Sequence, residues 1–245
     1  MSKRFWVSLA VILALCGVGV SAQGQVTAPS ILTPPGLGPG DTFYIIFAGS
    51  DTINGAQTAA AYVNYAATVK ANDPATDLIA GWTTLYGHDD SSLVTTSAFS
   101  DTNAPIYNRN GDKVADNRAE LFSNSQDVAI GFDEQGNPNA NNIWTGFNFT
   151  GGSTGIGDDS LGGNDALSDG CLAGNAAETD NRWAASVLTG GNGCAGASLG
   201  LYVVSPLMMV PRPPAPLPIF NIPGLVLLVA LMGLVARRYS SRLRA

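Results

Sequence analysis

The chain has 245 residues, of which 19 are acidic and 12 are basic, so its formal net charge at pH 7 is −7. This length accommodates one domain of ordinary size with targeting segments, and a charged fraction of 13% beside 45% hydrophobic residues excludes a disordered acidic chain. All 19 acidic residues lie between Asp41 and Asp180 with few basic ones among them, and a domain so acidic repels nucleic acid, which excludes nucleic-acid binding.

The first 22 residues have the three parts of a secretory signal peptide. Lys3 and Arg4 form the positive region, residues 5–20 form an apolar run, and Val20-Ser21-Ala22 offers a cleavage site before Gln23. A lipoprotein signal at Cys16 is the alternative, but the leucine before that cysteine is large for such a site. Both interpretations predict export.

Residues 23–41 are small, polar or rich in Pro and Gly, and we expect a loose linker there. The apolar, β-branched and aromatic run 42–48 predicts a buried strand. The Ala-rich segment 56–71 repeats its larger apolar residues at helical spacing, which predicts an amphipathic helix that Asn72-Asp73-Pro74 stops.

The rest of the domain, to residue 205, combines short strands, a second helix and long loops. The sequence predicts a helix over 116–122 capped by Asp116, a turn at Asn110-Gly111 and a long Gly-rich loop over 151–174. A short strand or a turn is predicted over residues 82–86, and further short strands are predicted over residues 143–146, 183–188 and 199–204. The predicted fold class is therefore α+β over residues 42–205.

The long loop contains clustered oxygen ligands on a flexible, Gly-rich backbone, which suits Ca²⁺ because this ion takes six to eight oxygen ligands. A solvated acidic loop that binds nothing is the alternative. The candidate calcium ligands are Asp158, Asp159, Asn164, Asp165 and Asp169.

Other chemistry has weaker support in the sequence. Residues 151–155 match the G-x-S-x-G nucleophile motif, but a loop follows where the motif requires a helix, and His88, the only histidine, precedes the serine. We expect His88 to be a solvated loop residue rather than an acid–base group. Trp144 and Trp183 could stack on sugar rings, and core packing is the interpretation we favour for both.

Two cysteines, Cys171 and Cys194, remain after signal cleavage, and in an exported domain such a pair predicts a disulfide. A metal site is the alternative, and it lacks ligands because the chain has one histidine.

The C-terminal segment reads as a membrane anchor. A Pro-rich spacer over 206–218 precedes the uncharged apolar run 219–236, which as a helix is about 27 Å long and so matches a bilayer core of roughly 30 Å. A buried core helix is the alternative, but the run has no polar face. The basic tail 237–245 follows, and its stop-transfer residues, expected on the cytoplasmic side, are Arg237, Arg238, Arg242 and Arg244.

The order of proline-rich spacer, short apolar helix and terminal arginines resembles the PEP-CTERM class of bacterial sorting signals. The resemblance implies that an exosortase-type transpeptidase recognises the tail and that the protein reaches the cell surface or an exopolysaccharide matrix. The family's Val-Pro-Glu-Pro is here Val210-Pro211-Arg212-Pro213, with arginine in place of glutamate. A related sorting enzyme or a plain membrane anchor fits the same layout.

The order of motifs from residue 42 to residue 205 resembles the endostatin-like branch of the C-type-lectin-like fold. The motifs are Ala104-Pro105-Ile106-Tyr107-Asn108, Ala119-Glu120-Leu121-Phe122-Ser123, Phe132-Asp133 with Gly136, and Ile143-Trp144-Thr145-Gly146, followed by the two cysteines with Trp183 between them. The resemblance implies that Cys171 and Cys194 form the inner disulfide, which ties the long loop to the last strands.

These observations together predict an exported, surface- or matrix-displayed protein that binds rather than catalyses. We expect an adhesion or polysaccharide-binding module whose partners are the membrane, a sorting enzyme, and a polysaccharide or another surface protein. A secreted hydrolase and a structural coat component without a ligand are the alternatives.

Overall fold

A computed structural model describes residues 25–88, 98–147, 150, 161, 171–188 and 193–214. The chain divides into two compact units, Met1–Pro211 and Arg212–Ala245. The predicted signal peptide over 1–22, the apolar run 219–236 and the basic tail 237–245 lie outside the described residues. Among the residues that are described, no helix has both the length and the apolar character needed to cross a membrane.

The described part of the first unit is rich in strands and has few helices, so the predicted α+β class is confirmed. Its strands are β1 (Val26–Thr27), β2 (Thr42–Ala48), β3 (Ile53–Asn54), β4 (Thr83–Leu85), β5 (Ile106–Asn108), β6 (Lys113–Ala115), β7 (Asn142–Trp144), β8 (Leu172–Asn175), β9 (Val187–Leu188), β10 (Ser198–Val204) and β11 (Met208–Met209). Its helices include α1 (Ala59–Lys70), α2 (Pro74–Asp77) and α3 (Arg118–Leu121), and short 3₁₀ turns cover Ser30–Leu32, Asn181–Trp183 and Gly193–Gly196.

The strands form one mixed, open sheet in the order β1-β11-β2-β10-β7-β8-β9. The long strands β2 and β10 pair antiparallel near its centre, and β3 and β4 also pair with β10. On the other side of β2, β5 pairs parallel and carries β6. The segment 199–204, expected to close the domain as its last strand, therefore lies within a central strand that pairs with four others, β2, β3, β4 and β7.

Both faces of the central strands are buried, which explains why β2 is a continuous apolar run. Successive side chains of a strand point to opposite faces. One set of β2 side chains packs with α1, and the alternate set packs with aromatic residues on the other face. The first set is Phe43, Ile45 and Phe47, and the second is Tyr44, Ile46 and Ala48.

Helix α1 confirms the prediction for 56–71, with slightly shorter bounds. Thr58 is its N-cap, because its hydroxyl accepts a hydrogen bond from the N–H of Ala61 at 3.3 Å. The helix ends at Lys70, but Pro74 begins a second short helix, since proline is well accommodated in the first helical turn.

Two local predictions are wrong. The N-cap of α3 is Asn117 rather than Asp116: Asn117 Oδ1 accepts from the N–H of Glu120 at 3.0 Å, while the Glu120 carboxylate accepts from the Asp116 N–H. The Asp116 carboxylate binds Lys113 instead of the helix N-terminus, and the cap falls one position later. The strand predicted over 183–188 is reduced to Val187–Leu188, because Asp180 caps a 3₁₀ turn that ends at Trp183.

The structured body extends beyond both ends of the 42–205 interval. Strand β1 lies in the segment expected to be a linker and pairs with β11. The N–H of Val210 donates to the Asp41 carbonyl at 2.9 Å, and the Val210 carbonyl accepts from Gly40 at 3.0 Å. Ordered hydrogen bonding therefore reaches Val210, directly before the exposed residues 211–214.

The disulfide between Cys171 and Cys194 is confirmed, with its Cα atoms 5.2 Å apart. Cys171 immediately precedes β8, and Cys194 lies in the 3₁₀ turn before β10. The bond closes a loop of 23 residues in sequence separation.

We expect the double substitution Cys171→Ser/Cys194→Ser to lower the free energy of unfolding by about 3 kcal/mol, because the cross-link no longer restricts the unfolded chain. Urea unfolding followed by tryptophan fluorescence measures the loss. Wild-type protein in reducing agent should match the double variant, and an unchanged unfolding midpoint in both samples would contradict the prediction.

Buried tyrosines should make the fold sensitive to alkali. Burial raises the pKa of Tyr62 to about 12, although the N–H of Gln57 bonded to its hydroxyl acts in the opposite direction. A phenol with a raised pKa stabilises the fold fully below its unfolded value of about 10, and this stability is lost as pH rises from about 10 through about 12. In Tyr62→Phe, the unfolding free energy should fall less steeply over that range, and an equal slope in both proteins would count against the prediction.

Candidate functional site

An open groove of about 610 Å³ lies between α1 and the segment that joins β2 to β3. We call it the α1 groove. The helix contributes residues at positions i, i+3, i+4 and i+7, which share one helical face. The lining residues are Asp51, Thr52 and Ile53 on one wall and Ala61, Asn64, Tyr65 and Thr68 on the other.

Tyr65 holds the two walls together. Its hydroxyl donates to the carbonyl of Asp51 at 2.6 Å and accepts from the N–H of Leu201 in β10 at 3.2 Å. Burial raises the pKa of this phenol, the Leu201 hydrogen bond lowers it, and the negative charges of Asp51 and Glu134 raise it further. Tyr65 therefore remains a neutral donor, and it anchors the groove to the central strand of the sheet.

The wall that Asp51, Thr52 and Ile53 form continues through β3, and hydrogen bonds fix it to Trp144 and to the turn that carries Cys194. The indole Nε1 of Trp144 donates to the carbonyl of Ile53 at 2.9 Å, and the Asn54 side chain donates to Ala195 at 2.7 Å. The N–H of Gly55 donates to the Cys194 carbonyl at 3.0 Å, and a Cβ on Gly55 would lie only 2.8 Å from that of Cys194. The wall is held by hydrogen bonds and by a contact that only glycine permits.

Several polar atoms of the α1 groove are available to a ligand. Within the described ranges, no hydrogen bond engages the side-chain amide of Asn64, the hydroxyl of Thr52 or Oδ1 of Asp51. The second carboxylate oxygen of Asp51 accepts from Asn72 Nδ2 at 3.2 Å, which fixes the orientation of the carboxylate. The groove thus presents an oriented acceptor and adaptable donors beside the apolar surface of Ile53 and Ala61.

A buried carboxylate supports the Asp51 end of the groove. Glu134 is fully buried, and its oxygens accept from the N–H of Ser50 at 3.0 Å, from the Ser50 hydroxyl, and from Asn72 Nδ2 at 3.1 Å. Arg109 donates to the main-chain carbonyl of Glu134 at 2.7 Å, but its ion pair is with Asp73, also at 2.7 Å. Neutral donors therefore compensate the buried charge of Glu134.

This arrangement is suited to recognition by hydrogen bonding. Ser50 lies beside a carboxylate, but its N–H and its hydroxyl both bind that same carboxylate, so the serine clamps Glu134. In the ranges that the structure describes, no group of three or more His, Cys, Asp or Glu side chains could hold a metal ion. The candidate calcium residues Asp158, Asp159, Asn164, Asp165 and Asp169 lie outside those ranges, and calcium binding there stays a prediction.

For the other residues that the sequence analysis singled out, the structure confirms one prediction and contradicts another. Trp144 and Trp183 are fully buried, so core packing is confirmed. The expectation that His88 is solvated is wrong: its side chain is 6% exposed, and its ring lies 6.0 Å from Tyr62 and 6.4 Å from Tyr86. The residues that follow His88 in the sequence are polar. Its ring nevertheless packs against Tyr62 of α1 and against Tyr86, the residue directly after β4.

The predicted sorting motif, residues 210–213, spans the end of the folded body. Val210 is buried at 8% exposure, whereas Pro211, Arg212 and Pro213 are exposed. The terminal arginines Arg237, Arg238, Arg242 and Arg244 lie outside the described residues, and their stop-transfer role stays a prediction.

Sequence reasoning missed the α1 groove. The spacing of Ala61, Asn64, Tyr65 and Thr68 was available as a signal, since it defines one face of the predicted helix. The contact of Ser50 with Glu134 spans 84 positions, and no local pattern announces it. Comparison with protein-family models and with curated proteins gives no match, so the site is interpreted from its own geometry.

We expect Glu134→Gln to lower the unfolding free energy by about 1–3 kcal/mol. Glutamine has one acceptor atom, so its NH₂ would face either the main-chain N–H of Ser50 or the donating amide of Asn72. Turning the Asn72 amide would set its oxygen against Asp51. Chemical denaturation measures the loss. Glu178→Gln, which removes the partner of an exposed Arg182 ion pair, should cost less than about 1 kcal/mol, and equal losses would refute the role of Glu134.

Proposed function

We propose that this chain is exported, held at a membrane by its C-terminal apolar segment, and displays an α+β domain that binds carbohydrate at the α1 groove. It acts by binding rather than by catalysis, as an adhesion or exopolysaccharide-associated module. A sorting enzyme of the exosortase type acts on its tail, with Val210-Pro211-Arg212-Pro213 as the recognition motif.

The position at which the folded body ends supports the proposal that the domain is displayed away from a membrane. The last main-chain hydrogen bonds that we describe for it involve Val210, and the exposed Pro-rich segment begins at the next residue. A stiff, extended spacer at this point separates a folded domain from a membrane surface. The positively charged end segments and the acidic domain between them have the charge asymmetry expected of a protein with a cytoplasmic tail and an external domain.

A C-type-lectin-like fold of the endostatin-like branch is the finer form of the proposal. Three features support it: the antiparallel pairing of the first and last long strands β2 and β10, the long connections between short strands, and a disulfide that joins the end of the long loop to the segment before β10. Such a fold hosts several kinds of ligand, so it does not by itself choose the function.

The observation that carries carbohydrate binding is the set of unengaged polar atoms in the α1 groove. Asp51, Thr52 and Asn64 offer a carboxylate, a hydroxyl and an amide beside apolar side chains. Sugar hydroxyls donate and accept hydrogen bonds, and the C–H faces of a sugar ring pack on apolar surface. The walls are fixed by Tyr65 and Trp144, so little conformational entropy is lost when a ligand orders them.

We expect Thr52→Ala/Asn64→Ala to reduce binding to oligosaccharides by about five- to 150-fold, because two hydrogen-bonding side chains are worth about 0.5–1.5 kcal/mol each. The full chain in detergent micelles is applied to an oligosaccharide array, and the hits are titrated. Both changed residues are exposed, and alanine has a higher helix propensity than the Asn64 that it replaces in α1, so the fold should persist.

The matched control is Thr102→Ala/Asn103→Ala, which removes the same two residue types from an exposed turn outside the groove. It should bind as the unmodified chain does. Equal affinity of both double variants, or retention of no oligosaccharide by the unmodified chain, would reject carbohydrate binding at the α1 groove.

A further inference from the structure

We infer that the ligand of the α1 groove is an amino sugar with a free, protonated amine, and that Asp51 receives the ammonium group. The inference rests on the proposed function, because it names the ligand class of the same groove.

Asp51 gives the groove its charge. Among the lining residues it is the one carboxylate, and no lining residue is basic. Asn72 holds its Oδ2, which leaves Oδ1 as an acceptor whose position is already fixed. A carboxylate oriented in this way binds an ammonium group through a charge-assisted hydrogen bond, which is roughly twice as strong as one between neutral groups.

A second negative charge stands behind Asp51. Glu134 is bound by the neutral donors Ser50 and Asn72, and Asn72 also bonds to Asp51, so a single amide links the two carboxylates. The charges of Asp51 and Glu134 both act on Tyr65 in the groove. The field at this end of the groove is therefore set by two carboxylates, one of them shielded from water.

The neighbouring cations are engaged elsewhere. Lys70, at the end of α1, donates to the carboxylate of Asp77 at 2.6 Å and to its carbonyl at 3.1 Å. Arg109 pairs with Asp73 at 2.7 Å. Each basic side chain is balanced by its own carboxylate. Arg109 also donates to the main-chain carbonyl of Glu134 at 2.7 Å, but its charge is compensated by Asp73.

Charge complementarity then ranks the sugar classes. A uronate or sulfated sugar would bring an anion toward Asp51 and is disfavoured. A neutral sugar keeps the hydrogen bonds to Thr52 and Asn64 but gains no ion pair. An N-acetylated amino sugar has lost its charge and ranks with the neutral sugars, whereas the free amine adds the ion pair.

The test compares four oligosaccharides of equal length, built from glucosamine, N-acetylglucosamine, glucose and galacturonate, by calorimetric titration of the full chain in detergent micelles. We expect the glucosamine oligomer to bind about tenfold more tightly than the glucose oligomer, which corresponds to about 1.4 kcal/mol. The galacturonate oligomer should bind most weakly. Raising the salt to 0.5 M should narrow the glucosamine preference, because exposed charges are screened.

Asp51→Asn is the decisive variant. The amide oxygen of the new asparagine can still accept from Asn72, so the fold is retained, as circular dichroism would check. The glucosamine preference should disappear, because the glucosamine oligomer loses the ion pair and therefore loses more affinity than the glucose oligomer does. Asp112→Asn is the control, because Asp112 also accepts from an asparagine amide, that of Asn108 at 3.5 Å, but lies outside the groove.

The outcomes separate the two proposals. Equal binding of glucosamine and glucose oligomers, or a preference that survives Asp51→Asn, overturns the amino-sugar inference and leaves carbohydrate binding in place. Binding of none of the four oligomers by the unmodified chain overturns both. A preference for galacturonate reverses the expected sign and overturns the inference alone.

Discussion

The antiparallel pairing of β2 with β10 is the constraint on which the rest of the fold depends. These two strands bury both faces, so their side chains build the core on either side of the sheet. Directly beyond β10, the Ser205 hydroxyl accepts from the N–H of Ile45 at 2.9 Å, and the Ser205 N–H donates to the Ile45 carbonyl at 2.9 Å. The hydroxyl thereby satisfies a buried β2 amide, which would otherwise weaken the fold.

The α1 groove depends on that pairing through a few specific bonds. Leu201 of β10 donates to the hydroxyl of Tyr65, and the same hydroxyl holds Asp51 just beyond the end of β2. The disulfide fixes Cys194 ahead of β10, and its carbonyl fixes Gly55 beyond β3. The site is thus built where the two central strands leave the sheet, and its walls inherit their rigidity.

The buried carboxylate beside the groove is likewise held by a few specific hydrogen bonds. A buried carboxylate is costly unless donors surround it, and Glu134 is surrounded by groups that come from the end of β2 and from beyond α1. Because these donors are neutral, the charge is stabilised without being cancelled. A groove that presents Asp51 in front of Glu134 therefore keeps a negative field, and the proposed preference for a cationic ligand depends on that field.

The sequence alone determined the elements whose signals are local. Composition, spacing and the expected export predicted the buried strand β2, the helix α1, the α+β class and the disulfide between Cys171 and Cys194. Local signals were also misleading in two places. The N-cap of α3 lies one residue later than predicted, and His88 is buried rather than solvated. Only the tertiary structure decided which strand is central, that the expected linker contributes β1, and that Ser50 meets Glu134 across 84 positions. Contacts of that kind depend on which distant segments pack together, and residue patterns of one strand or one helix do not encode that choice.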